Sequence, residues 1–78
     1  MREKKHLVIF TFHTTSAAMA MEKLCQTRGL PGRLIPAPRA ITSDCGIAWS
    51  APTEVRSELE EKMRAERIDF AGFHEVLL

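Results

Sequence analysis

The chain has 78 residues, 45% hydrophobic and 27% charged, with 4 Gly and 4 Pro. That is enough for one small core and excludes a disordered tail or a fibrous repeat, so a single domain over residues 1–78 is expected. Eleven basic and ten acidic side chains leave a net charge of +1, which removes the simplest argument for nucleic acid or an anionic membrane as partner.

Met1 to Lys5 is charged like the start of an export signal, but the apolar run from Leu7 to Phe12 is too short for one and no cleavage site follows. It is also far short of the roughly 20 apolar residues of a membrane span, so a cytoplasmic protein is expected. The two cysteines, Cys25 and Cys45, form no Cys-x-x-Cys, and His6, His13 and His74 are widely spaced. Reduced thiols and no bound metal or cofactor are therefore expected.

In chain order, His6 to Phe12 is β-branched and aromatic and reads as a first strand. His13-Thr14-Thr15-Ser16 offers hydroxyls for a helix N-cap, the Ala- and Met-rich run that follows has high helix propensity, and Gly29 reads as the stop. This predicts a helix over roughly 16–28. Gly32 to Pro38 is extended, and its two prolines confine it to a sheet edge. After a loop from Arg39 to Asp44, Cys45 to Ser50 reads as a third strand. Thr53 is the expected N-cap of a second helix, with Val55, Leu59 and Met63 as an apolar stripe and Glu58–Lys62 and Glu60–Arg64 as i, i+4 pairs. Phe70 to Leu77 closes the chain as a strand.

The order β-α-β-β-α-β is that of a ferredoxin-like α+β sandwich: a four-stranded antiparallel sheet, spatial order 4-1-3-2, with two helices on one face. The end of the first strand, the start of the first helix and the start of the third strand then share one edge, which brings Cys45 near His13, Thr14, Thr15 and Ser16. The loop carrying Arg39 ends at the same edge. The first strand is apolar on both faces while the helices cover only one, so a homodimer packed through the open sheet face, or a larger partner, is expected.

Cys45 follows a polar loop and precedes Gly46, which allows close approach of backbone or ligand. The positive end of the first helix, His13 and Arg39 all favour an anionic sulfur there, and Asp44 opposes them. Taken alone, a free cysteine is more often a small buried core residue. Cys25, eight or nine residues beyond the helix cap, reads as packing, roughly 12 Å along the axis from that edge and out of disulfide reach. His13 is otherwise a solvated neighbour of the cap, Arg39 a solvated loop cation, and Trp49 a packing residue on the face of Cys45 and Ile47.

The run Leu34-Ile-Pro-Ala-Pro-Arg39, then Ile41-Thr-Ser-Asp-Cys-Gly46-Ile-Ala, preceded by Phe10-x-Phe-x-Thr-Thr and an Ala-rich helix, resembles a small bacterial domain-of-unknown-function family described as selenium or sulfur carrier-like. The resemblance covers nearly the whole chain and is strongest at Pro38-Arg39 and Cys45-Gly46. It implies a non-enzymatic role in which Cys45 holds sulfur or selenium, as a persulfide or selenosulfide, for transfer between donor and acceptor enzymes. His13, Arg39, Thr14, Thr15 and Gly46 would surround the anionic terminal atom.

A second reading is a small dimeric binding or regulatory module that takes an anionic ligand or partner protein at the Cys45/Arg39 edge without thiol chemistry. A cysteine phosphatase ranks below both, because the chain lacks the Cys-x5-Arg phosphate loop. The near-neutral total also conceals an asymmetry: residues 1–39 carry net +5 and residues 40–78 net −4. Opposite charges on the two halves could orient docking, although a solvated acidic helix face is the default.

Overall fold

The computed structural model describes residues 6–38, 41 and 45–77. Strands β1 (His6–Thr11), β2 (Arg33–Pro36), β3 (Ile47–Pro52) and β4 (Gly72–Leu77) form one sheet in the order β2-β3-β1-β4. Every neighbouring pair is antiparallel. With helices α1 (Thr15–Arg28) and α2 (Arg56–Ala65) this is the expected α+β ferredoxin-like arrangement. The edge position of β2 agrees with its proline, since Pro36 cannot donate to a ladder.

Helix α1 starts and stops as its end residues dictate. Thr14 is extended, its Oγ1 accepts a hydrogen bond from the Ala17 N–H at 3.1 Å, and Gly29 closes the helix in the left-handed conformation at φ 68°. Ala18, Met21, Leu24 and Cys25 form its buried stripe. The second helix begins differently from expectation. Thr53 opens a 3-10 turn, Thr53–Val55, its hydroxyl is buried without a hydrogen-bond partner, and no side chain caps α2. The tighter turn directs this hydroxyl inward, away from the N–H groups it was expected to cap. Leu59 and Met63 are buried as expected, but the ion pair seen along the helix is Arg56–Glu60 at 3.7 Å.

Strand β3 begins two residues later than expected and leaves Cys45 in a turn, while β4 begins at Gly72. Phe70, expected to open the last strand, instead meets Phe10 edge-on at 5.2 Å. On the helix side, Val8, Phe10, Phe12, Trp49 and Ala51 pack with α1 and α2 into the main core. Each large apolar side chain buried there contributes about 1.5–3 kcal/mol.

The opposite face is not bare. Ile9 and Ala48, 1% and 0% exposed, form a second cluster with Ile41, which comes from the β2–β3 connection. Ile35, Ala37 and Val76 pack around it. The two-faced apolar pattern of β1, which led to the expectation of a covering partner, is thus answered in its middle by the chain's own connection. A helix is not needed for this, because one β-branched side chain seated over a central strand keeps water from that part of the sheet.

Candidate functional site

The register sets the geometry of the candidate edge. Thr11 pairs with Ala48, and Ile47 pairs with Pro36, so the end of β1 and the start of β3 lie together. His13 is two residues beyond Thr11, and Cys45 two residues before Ile47. The backbone between β2 and β3 is drawn together by the Ala37 N–H, which donates to the Gly46 carbonyl at 3.0 Å.

Cys45 is half-buried, packs against the helix-side core, and donates from Sγ to the Ile47 carbonyl at 3.5 Å. Trp49 is on the same helix side, 2% exposed. Gly46 is exposed at φ 75°, a conformation that costs a side-chain-bearing residue about 1–2 kcal/mol, so the glycine has a backbone reason to be there apart from any ligand.

Cys25 contrasts with Cys45. It is 1% exposed within the main core, and burial raises its thiol from 9.0 to about 11. Neither cysteine is joined in a disulfide. Desolvation penalises the thiolate at Cys25 and keeps it out of chemistry near neutral pH.

The other expected site residues have different surroundings. Thr14 has its hydroxyl committed to capping α1. Thr15 is the exposed first residue of that helix. His13 is exposed and borders a hollow shared with Thr14, Ser16 and the connection from α2 to β4, through Glu66, Arg67 and Asp69. Arg39 lies outside the described residues. Sequence reading did not anticipate the 66–69 connection beside His13. Arg67, held at φ 58°, gave no signal, because a non-glycine residue in the left-handed region carries no compositional mark. Among the described residues, no three His, Cys, Asp or Glu side chains could together hold a metal ion, and no helix is long and apolar enough to cross a membrane.

A family model described as "Putative Se/S carrier protein-like" matches residues 7–75, from the second residue of β1 to the middle of β4. The chain belongs to this Se/S carrier-like family. The match takes in both helices, all of β2 and β3, most of β1 and β4, and the Pro38-Arg39 and Cys45-Gly46 motifs, in agreement with the resemblance read from the sequence. No curated protein and no solved structure matches the chain. The description of the Se/S carrier-like family points to a carrier of selenium or sulfur.

Proposed function

We propose that this protein carries sulfane sulfur or selenium on Cys45 between partner enzymes. The observation that carries the reading is the contrast between the two thiols: Cys25 is sealed in the core with its ionisation suppressed, whereas Cys45 is half-exposed in a turn at the sheet edge. A carrier needs one reachable thiol and no second one ready to discharge its cargo as a disulfide.

In the loading step the Cys45 thiolate attacks the outer sulfur of a donor persulfide. A new S–S bond forms, the donor's S–S bond breaks, and the electron pair leaves on the donor thiolate. In unloading, an acceptor thiolate attacks the outer sulfur and Cys45 departs as thiolate, so neither step needs an oxidant or a reductant. Selenium is handled by the same displacement. In this reading Arg39, His13, Thr15 and Gly46 surround the anionic outer atom, the protein is an accessory rather than an enzyme, and it works in the reducing cytoplasm of a bacterium. Thr14 contributes by holding the start of α1 in place. Its partners are the donor and acceptor enzymes, with no nucleic acid or membrane required.

The test is intact-mass analysis after incubation with a cysteine desulfurase and cysteine. A reductant-sensitive adduct of one sulfur, absent in Cys45→Ser, is expected. Failure to load from a desulfurase or from a selenium donor overturns the reading and leaves non-covalent binding at the same edge.

A further inference from the structure

The two edges of the sheet are unlike. β2 is four residues long, begins at Arg33 and ends at Pro36, whose nitrogen bears no hydrogen. A short strand with a proline is a poor template for further pairing. β4, at the other edge, runs six residues with neither proline nor lysine. Its outward-pointing N–H and C=O groups have no neighbouring strand in the sheet.

The side chains of β4 are also unusual for a solvated edge. Three large hydrophobic residues are exposed among those described, and two are here: Phe73 at 40% and Leu77 at 50%. They lie four apart and therefore on one face, with Glu75 midway between them. That face is the helix side, because Arg56 of α2 stacks over the Phe73 ring at 4.7 Å and bonds Glu75 at 3.2 Å.

We infer that β4 is a pairing edge for a second copy of this chain, antiparallel about a two-fold axis at Glu75, which joins two sheets into one of eight strands. In this register Phe73 of each copy lies directly opposite Leu77 of the other, so both exposed apolar side chains are covered twice over by one symmetry operation. His74 then faces Val76 on the other side of the sheet. The only like-charge juxtaposition is Glu75 against its twin, and each carboxylate already carries its own Arg56 guanidinium. A shift by two residues puts Phe73 opposite Glu75 and loses both apolar pairs, so the side chains select the register. The inference does not depend on what Cys45 carries, and it leaves the thiol edge free for partners.

Sedimentation equilibrium over a range from micromolar to near-millimolar concentration tests it. The expected result is a concentration-dependent rise from 8.8 kDa towards twice that mass, abolished in Leu77→Lys with the far-ultraviolet dichroism unchanged. In a Cys45→Ser background, Glu75→Cys should give a covalent dimer on mild oxidation, while Arg33→Cys on the opposite edge should not. A constant monomer mass overturns the inference. So does a dimer that survives in folded Leu77→Lys, or one that cross-links through position 33 and not 75.

Discussion

Ile41 packs on Ile9 across the face of the sheet that the helices leave open. Ile9 is 1% exposed and Ile41 7%, so a residue of the β2–β3 connection completes a second small core. Ile41 is held on the other side by its backbone, whose N–H donates to the Pro38 carbonyl at 2.9 Å. Truncation at this site should therefore be felt in stability. Ile41→Ala is expected to cost about 2–4 kcal/mol and Ile41→Val about 0.5–1.5 kcal/mol, read from urea midpoints at constant slope.

Two glycines should respond oppositely in scale to the same substitution. A side chain at Gly32 would collide with the Trp49 indole, 2.6 Å from Cε2, and with the Ser50 carbonyl at 2.8 Å, at φ 132°. Gly46 has open space around it and only the strain of φ 75°. Gly46→Ala is expected to lower stability by about 1–2 kcal/mol. Gly32→Ala should lower it more and shift the Trp49 emission, because the indole must move.

Thr14 tests the division between capping and ligand binding. Removing its hydroxyl leaves the Ala17 N–H without its partner, so Thr14→Ala is expected to cost about 1 kcal/mol while Thr14→Ser costs little. Sulfur loading of Cys45 should persist in both variants. Loss of loading in a folded Thr14→Ala protein would give the hydroxyl a role beyond the cap.

The two thiols should separate under alkylation. With its pKa at about 11, Cys25 has a thiolate fraction of about one in a thousand at pH 8, and it is shielded by the core. Iodoacetamide at pH 8 is expected to modify Cys45 first and Cys25 only on unfolding. Peptide mapping over time checks this, and equal rates at the two sites would contradict the packing described for Cys25.

Cys25 also sets an alkaline limit on stability. Its folded pKa is raised, so the unfolded chain loses this proton at lower pH than the folded one does. The contribution is fully present below pH 9 and is lost as pH rises to about 11, at about 1.4 kcal/mol per pH unit at the steepest. Compared with Cys25→Ala, the native protein should lose stability across that interval. Parallel pH curves for the two proteins would refute the linkage.

The fold and the candidate site were differently legible in the sequence. The cap at Thr14, the stop at Gly29 and the proline-bearing edge strand could be read directly, because each rests on a local backbone requirement of a particular residue type. Thr53 misled, since a hydroxyl before a charged helix fits either a cap or a 3-10 turn and only packing against the sheet chooses between them. Topology puts Cys45 beside the start of β3, but its position in a turn on the helix side of the sheet depends on where pairing of β3 stops.

The order of elements, the antiparallel sheet with β2 at its edge, and family membership were thus determined by the sequence alone, through periodicity, local caps and motif. Tertiary structure alone decided that Ile41 covers Ile9 on the open face, that Cys25 is sealed while Cys45 is only partly buried, and that Phe73 and Leu77 stay exposed around Glu75. These are properties of what lies across from a residue, and burial between segments distant in the chain leaves no mark on the composition of either one.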